Sequence, residues 1–178
     1  MGPVCRAGGL GVSDKAGHGP GRRPWRTWAR VTGVGPALAS GAMPGRTIQV
    51  PPACELTLGA VCVDKSEPGR TVWRMVADER FANPAGIVQG GFVSALADSA
   101  MGSAAVTAAL AAGRKVVAAN AEMKTSFLAA VPVGTVLTAT ATVVRAGRRV
   151  AFVEADVADA SGVSVARASS TYLYTDRG

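Results

Sequence analysis

The stretch "NPAGIVQGGFVSALADSAMG", residues 83–102, decides the fold of this chain. Its side chains are mostly small and apolar, yet it holds a Gly-Gly pair and a single carboxylate, Asp98. The surrounding segment 89–112 is rich in alanine and lacks proline, so it predicts one long helix, and Gly113 is well placed to end it. A lone acid within such an apolar helix is a candidate functional group.

Short β-prone runs flank the predicted helix on both sides. Two precede it, at 56–63 and 70–77, and four follow it, at about 116–128, 135–145, 149–158 and 163–174. Two of these runs place apolar residues on one face: Leu137, Ala139, Ala141 and Val143 in the first, and Ala151, Val153, Ala155 and Val157 in the second. Such alternation predicts an antiparallel sheet that is covered on one side, with "RAGR" and "DASG" as hairpin turns.

The order of these elements is β-β-α-β-β-β-β. It predicts an α+β protein in which a curved antiparallel sheet of about six strands wraps one long central helix. Small residues on the helix would let the sheet approach it closely, and these are Ala95, Ala97, Ala100, Gly102, Ala104 and Ala105. This arrangement resembles the hotdog fold.

The net charge of +7 is concentrated at the amino-terminal end of the chain. Residues 1–42 hold six basic residues and one acid, which leaves the other residues with a net charge of only +2. We therefore expect no nucleic-acid partner for the body of the protein. No run of about 18 apolar residues lacks a polar interruption, so we expect no membrane-spanning helix either.

The cysteines are three in number and lack metal-ligand spacing, and the one histidine, His18, lies far from Cys54 and Cys62. These facts disfavour a disulfide scaffold and a zinc site, and they indicate a reducing, cytoplasmic location.

Residues 1–42 are rich in Gly, Pro and Arg and show no periodicity, so we expect them to be disordered. They lack the apolar segment of a secretory signal, and their Gly and Pro disfavour an amphipathic transit helix. A functional basic arm and an artefact of start-site choice both remain open. The second is favoured because Met43 begins a segment, 43–178, that is consistent with a complete domain.

Gly90 and Gly91 lie at the predicted start of the helix. The first backbone N–H groups of a helix lack intrahelical partners and carry partial positive charge, and a glycine there has no side chain to block a ligand. The pair therefore suits a carbonyl oxygen that gains negative charge during acyl transfer. A plain loop-to-helix turn that needs glycine for its dihedral angles remains an alternative.

Asp98 follows Gly90 by eight residues, which separates the two backbones by about 12 Å along one helix. A single protomer cannot bring both groups onto one carbonyl. A dimer that packs two such helices antiparallel would join Asp98 of one copy to Gly90 of the other and create two equivalent sites. Two simpler roles for Asp98 stay open: a carboxylate held by Ser94 or Ser99, or one that points to solvent.

The residues from Asn83 to Gly102 resemble the signature of the PaaI-like (phenylacetate-type) acyl-CoA thioesterases of the hotdog superfamily. The matching positions are Asn83, Gly86, Gln89, Gly90, Gly91 and the "ALAD" run that ends at Asp98, and the similarity extends over about 55–174. The resemblance implies hydrolysis of an acyl-CoA thioester. Asp98 would be the nucleophile or general base. The Gly90 N–H would polarise the thioester carbonyl, and Gly91 would help to bind the substrate.

The same resemblance implies roles for two amide side chains and for the assembly. Asn83 would position the substrate or the attacking water, and Asn120 would lie near that water. The active protein would be a homodimer or a dimer of dimers that needs no metal or redox cofactor, because coenzyme A is part of the substrate.

Gln89 stands where most members of that family carry histidine. Glutamine donates and accepts hydrogen bonds but does not titrate near neutral pH, and the only histidine, His18, lies in the extension. Imidazole catalysis is therefore excluded for residues 43–178, which disfavours the hotdog hydratases and dehydratases. The replacement also favours a rival hypothesis, a non-catalytic acyl-CoA binding or sensing protein. A third hypothesis, a basic nucleic-acid binder, rests on residues 1–42 alone.

Arg145, Arg148 and Arg149 cluster at a predicted hairpin turn, where they would hold the phosphates of CoA. A solvated hairpin tip is an equally open interpretation. The acyl pocket is expected between helix and sheet, lined by residues such as Met101 and Phe127.

Overall fold

One long helix lies against an antiparallel sheet in the computed structural model, which describes residues 52–177. The elements are α1 (Ala53–Leu58), β1 (Val61–Asp64), β2 (Arg70–Val76), a 3₁₀ turn (Glu79–Phe81), α2 (Gly90–Ala111), β3 (Val116–Phe127), β4 (Val136–Ala146), β5 (Val150–Ala158) and β6 (Ser164–Asp176). The predicted long helix and the last five predicted strands are confirmed. The extension 1–42 and the alternative start at Met43 lie outside the described residues.

The six strands form one antiparallel sheet in the order β1-β2-β4-β5-β6-β3. Strands β4, β5 and β6 pair consecutively, and β3 pairs with β6 at one end of the sheet. The other side of β3 has no neighbouring strand in the described part of the chain, although β3 is 12 residues long. The predicted hotdog architecture, an α+β fold with six strands and one central helix, is confirmed.

The core consists of small side chains from both the helix and the sheet. The buried residues of α2 are Val93, Leu96, Ala97, Ala100, Met101, Ala104, Ala105 and Ala109. Facing them, the sheet buries Leu137, Ala139, Ala141, Ala151, Val153 and Val157 at no more than 1% exposure, which confirms the predicted alternation on β4 and β5. Small groups on both surfaces let backbones approach closely, so the packing is dense and sensitive to added volume.

Two hydroxyls, of buried Thr71 and half-buried Tyr174, tie the helix to the sheet. Thr71 of β2 donates to the carbonyl of Ala100 at 2.8 Å, and Tyr174 of β6 donates to the carbonyl of Ala105 at 2.7 Å. A helical carbonyl has a second lone pair for such a bond, so the helix ladder is not interrupted. The two bonds fix the position of α2 along the sheet.

Helix α2 ends as predicted, because Gly113 adopts a left-handed conformation with φ of 74°. Its N–H donates to the carbonyl of Leu110, and the next N–H, of Arg114, donates to that of Ala109, both at 2.9 Å. These two bonds form a Schellman motif, which satisfies carbonyls that would otherwise lack partners.

The first predicted strand, 56–63, is wrong over its first half. Residues 53–58 form the short helix α1, which Gly59 ends in a left-handed conformation with φ of 66°. The strand therefore begins only at Val61. Pro52 precedes the helix in an extended conformation and Glu55 lies in its first turn, two helix-start signals that outweigh the β propensity of three residues.

Helix α2 is long and apolar enough to cross a membrane by length and composition alone. Its buried residues, however, pack against the five strands β2 to β6. We interpret α2 as the core helix of this domain.

Replacing Gly113 with alanine should lower the free energy of unfolding by about 1–2 kcal/mol, because an L-residue at this φ is strained. A Cβ here would meet no atom within 4 Å, so the loss would report backbone strain alone. Gly91→Ala is the matched control: its Cβ is equally unobstructed, and alanine favours helix, so this variant should be at least as stable as the parent. Urea denaturation measures both, and equal losses would contradict the assigned helix end.

Candidate active site

The turn before α2 is built by Asn83. Its side-chain Oδ1 accepts hydrogen bonds from the N–H groups of Ala85 at 2.9 Å and Ile87 at 3.4 Å, while its own N–H donates to the carbonyl of Ile87 at 2.7 Å. Gly86, at φ of 76°, completes the turn. Asn83 is therefore a turn residue in this protomer. Its Nδ2 group has no protein partner within the described residues.

The start of α2 exposes backbone donors. Gln89 precedes the helix in an extended conformation, and its side chain makes no capping hydrogen bond. Neither the N–H of Gly90 nor that of Gly91 has a hydrogen-bond partner in the described part of the chain. These donors carry the positive end of the helix dipole, so the helix start is suited to a carbonyl oxygen or another anionic group.

A cavity of about 520 Å³ opens at this helix start. Its lining includes Asn83, Gln89, Gly90, Gly91, Phe127, Val131 and Val165. The structure thus brings four of the predicted site residues together and adds Phe127, the predicted pocket residue. Met101 does not line this cavity, because it is fully buried in the core.

The ring of Phe127 lies directly over Gly90. A Cβ at Gly90 would be 2.7 Å from the tip of that ring, closer than real contacts allow. Phe127 itself is 55% exposed, so the ring has room to move away. Glycine at this position therefore allows an aromatic side chain, or a ligand in its place, to reach the backbone.

Asp98 lies outside this cavity, on the middle of α2. Its Oδ1 accepts hydrogen bonds from Nδ2 of Asn120 at 2.6 Å and from the hydroxyl of Tyr172 at 2.5 Å. No hydrogen bond reaches its Oδ2 within the described residues. Of the simpler roles considered for Asp98, a carboxylate held by serines is wrong, because Ser94 donates instead to Thr125.

Asn120 is fixed in turn by a residue of β6. The hydroxyl of Ser170, which is buried, lies 2.9 Å from Oδ1 of Asn120 and 2.7 Å from the carbonyl of Glu122. This contact orients the Asn120 amide so that its Nδ2 faces Asp98. The structure therefore places Asn120 against the predicted catalytic carboxylate.

Tyr172 and Ser170 are the residues that sequence reasoning missed. Both lie on β6, whose buried face consists of Ala166, Ala168, Ser170 and Tyr172. The signal was present in the sequence, because the two-residue alternation of a strand puts these four positions on one side. Two polar groups on the helix-facing side of a strand need partners on the helix or a neighbouring strand.

The electrostatic setting of Tyr172 keeps it protonated. Burial first, and then the hydrogen bond to Asp98 and its negative charge, raise the pKa of Tyr172 above that of a free tyrosine. Tyr172 is therefore a hydrogen-bond donor to Asp98 at any ordinary pH.

The three predicted arginines lie elsewhere in the protomer. Arg145 lies one residue before the end of β4, and Arg148 and Arg149 form the turn to β5 beside the last turn of α2. That turn, at Ala108, is about 27 Å from Gly90 along the helix. All three side chains are exposed. No ion pair involves them within residues 52–177.

Within residues 52–177 no cluster of three or more His, Cys, Asp or Glu side chains is placed to hold a metal ion. Cys54 and Cys62 are free thiols.

Together, the fold and these groups define a hotdog protein with a backbone donor site at the start of its central helix and a held carboxylate in the middle. The family model of the thioesterase superfamily matches residues 85–166, a range that includes Gly90, Asp98 and Asn120 but not Asn83 or Tyr172. No curated protein matches the sequence significantly.

Three solved structures illustrate what the chain is similar to. Conserved protein PA5202 of Pseudomonas aeruginosa is 28% identical, with a TM-score of 0.62 over 69% of this chain and 94% of its own. A mutant of the phenylacetic acid degradation protein PaaI of Thermus thermophilus is 26% identical, with a TM-score of 0.60 over 67% and 96%. A Streptococcus mutans protein, solved bound to acetyl CoA, shares the fold at 20% identity and a TM-score of 0.60 over 66% and 90%.

The chain thus has the hotdog fold and resembles the PaaI-like proteins of the thioesterase superfamily, as the sequence predicted. These comparisons support thioester hydrolysis in general.

The raised pKa of Tyr172 predicts a loss of stability at alkaline pH. Because the pKa of Tyr172 is higher in the folded protein than in the unfolded chain, its contribution to stability is complete at pH values below the unfolded pKa, about 10. This contribution is lost as the pH rises from there toward the pKa of Tyr172 in the folded protein. Between these two values the free energy of unfolding should fall by about 1.4 kcal/mol per pH unit for this residue. Urea denaturation of the parent and Tyr172→Phe from pH 8 to 11 measures this. The variant should show a shallower decline, and identical slopes would contradict it.

Proposed function

We propose that this protein is an acyl-CoA thioesterase whose active site is shared between two subunits. The observation that carries the proposal is the pair of unpartnered N–H groups at Gly90 and Gly91, which open on the cavity at the start of α2. Donors fixed in a backbone stabilise the negative charge that develops on a thioester oxygen during acyl transfer, and they need no reorganisation to do so.

The need for a second subunit follows from the length of the helix. Asp98 lies about 12 Å from Gly90 along α2 and does not line the cavity. An antiparallel pair of α2 helices around a two-fold axis brings each Asp98 to the other subunit's Gly90. The unpaired side of β3 supports such an assembly, because a 12-residue edge strand is a template for pairing with another chain.

Asp98 acts through Oδ2, the oxygen that no described residue occupies. In one route Oδ2 attacks the thioester carbon, the C–S bond breaks, CoA leaves as the thiolate, and water then hydrolyses the resulting anhydride. In the other route Oδ2 takes a proton from water as that water attacks, and the proton passes to the departing thiolate. Both routes give free acid and CoA and require the same position of the carboxylate.

Asn83 and Gln89 supply the polar lining of the cavity. The Nδ2 group of Asn83 is available to the thioester or to water, because its Oδ1 is used in the turn. Gln89 donates a hydrogen bond to the substrate but takes no part in proton transfer. Proton transfer therefore rests on Asp98.

The hairpin turn with Arg148 and Arg149 is suited to bind the CoA phosphates. The site that it would serve is the one formed by Asp98 of its own chain and Gly90 of the other subunit. In the antiparallel arrangement the carboxyl end of one α2 continues past the amino end of the other. The turn with Arg148 and Arg149 then lies about 15 Å along the axis from the Asp98 of its own chain, a span that the pantetheine arm of CoA covers. The acetyl CoA bound to the similar Streptococcus mutans protein supports a ligand of this class.

Gln89 gives weight to a second candidate, an acyl-CoA binding protein without turnover. A panel of aromatic, short, medium and long acyl-CoAs, followed by thiol release, separates the two. Binding of the panel without thiol release above background would establish the second candidate.

Replacing Asp98 with asparagine should lower kcat by at least about 100-fold, because asparagine neither attacks the carbonyl nor accepts the proton. Asp156→Asn is the matched control, since this carboxylate of β5 accepts hydrogen bonds from Ser164 and Arg167 of β6, and its kcat should stay within about twofold of the parent. Thiol release measures both, and retained turnover in Asp98→Asn would reject the assigned role.

Two inactive variants should restore activity when they form a mixed dimer. Gly90→Pro removes the N–H group at the first helical position, where proline is tolerated, and the extended ψ of 129° at Gln89 is compatible with a following proline. A purified dimer of Asp98→Asn with Gly90→Pro keeps one intact site, so it should show about half of the parent's activity.

Two controls accompany the mixed dimer. Gly90→Ala displaces the Phe127 ring in the same way but keeps the N–H, so Gly90→Pro should lose more turnover than Gly90→Ala. A dimer of the parent with a chain carrying both changes should be inactive, although it contains one complete chain. Activity in that dimer would show that the site lies within one subunit.

A further inference from the structure

Tyr172 and Asn120 bind the same oxygen of Asp98. Their donors lie 2.5 and 2.6 Å from Oδ1, whereas Oδ2 has no protein partner within the described residues. The two side chains are direct cross-strand partners in the β6–β3 ladder. A slip of either strand by one residue would turn its side chain away from the helix.

Tyr172 is held rigidly in this position. Its side chain is 2% exposed, and the ring packs over Gly102, where a Cβ would be 3.4 Å from its Cε1. Its hydroxyl also lies 3.0 Å from the carbonyl oxygen of Asp98. The hydroxyl proton favours Oδ1, because a bond to a charged oxygen is shorter and stronger than a bond to a neutral carbonyl.

The remaining contacts of Asn120 orient its amide toward Asp98. Ser170 holds the amide oxygen, and the ladder shifts register between Asn120 and Glu122. Such a bulge redirects side chains at functional sites. The carboxylate is therefore fixed at two donors, one from each of two adjacent strands.

We propose that Tyr172 is a positioning residue that, with Asn120, binds Oδ1 of Asp98 and thereby selects Oδ2 as the reacting oxygen. This inference rests on the proposed thioesterase function. Without the Tyr172 hydroxyl, only the Asn120 bond to Oδ1 remains. The carboxylate then rotates more readily about its Cβ–Cγ bond, and its two oxygens exchange between the held and the reacting positions. Substrate binding at the start of α2 is unaffected, because Tyr172 does not line that cavity.

Tyr172→Phe tests this inference, with Tyr174→Phe as the matched control. Tyr174 lies on the same strand and also donates to a carbonyl of α2, but its partner is Ala105 and it does not contact Asp98. In Tyr172→Phe we expect kcat to fall by about 10- to 100-fold with KM within about twofold, since misplacement of a reacting group costs turnover rather than binding. Tyr174→Phe should change kcat by less than about threefold, as a lost structural bond would.

A double-mutant cycle checks the contact without relying on activity. The free energies of unfolding of Tyr172→Phe, Asp98→Ala and the double variant should be non-additive, whereas the cycle of Tyr174→Phe with Asp98→Ala should be additive. Additive changes in the first cycle would overturn the inference. Equal kcat losses in the two tyrosine variants, or a change confined to KM, would overturn it as well.

Failure of the proposed thioesterase function can be distinguished from failure of the role inferred for Tyr172. A parent that releases no thiol from any acyl-CoA rejects the thioesterase, and with it the role of Tyr172 in catalysis, before any variant is compared. An active parent with an unaffected Tyr172→Phe variant rejects the role of Tyr172 alone.

Discussion

The close contact between α2 and the sheet is the constraint on which the structure depends. Ala97, Ala100 and Ala104 are fully buried against the sheet, and larger side chains there would push the two layers apart. The short distance lets the hydroxyls of Thr71 and Tyr174 reach helical carbonyls. It also lets Tyr172 and Asn120 reach Asp98 from two strands. The packing of the core therefore sets the geometry of the candidate site.

The same helix imposes a second constraint, because it is rigid. A straight helix fixes the separation of Gly90 and Asp98, and no rotation of side chains closes a gap of about 12 Å. The donors at its start and the carboxylate at its middle are each well formed in one protomer. The cavity at the start of α2 is lined by no acidic residue, and Asp98 does not line that cavity. This division supports the proposal that a two-fold axis completes the site.

Much of the fold follows from local sequence rules. The alanine-rich segment, the glycine after it and the alternation on β4 and β5 each act over a few residues, so they predict α2, its end and the buried faces. The short helix α1 was missed because Pro52 and Gly59, rather than the periodicity of residues 56–58, determine it. Gly90, Gly91, Gln89 and Asn83 are close in sequence, and their grouping around one cavity was therefore predictable.

The partners of Asp98 were less accessible to sequence analysis. Tyr172 is 74 residues from Asp98, and the contact depends on how β3 pairs with β6, on the bulge in β3 and on the height of the helix above the sheet. None of these is set by local propensity. The resemblance indicated Asn120 as a residue near the attacking water, but only the pairing of strands puts it opposite Tyr172.

Strand β3 connects the carboxylate to the proposed assembly. It carries Asn120, yet it is the edge strand of the sheet in the described chain. An edge strand that pairs on one side only opens locally more easily than a central strand, and each opening would release the Asn120 bond to Asp98. A second subunit that covers this edge would therefore have two effects. It would bring the backbone donors of its own α2 to Asp98, and it would hold in place the strand that keeps Asp98 oriented. Formation of the dimer and orientation of the Asp98 carboxylate would then depend on each other, because both involve strand β3.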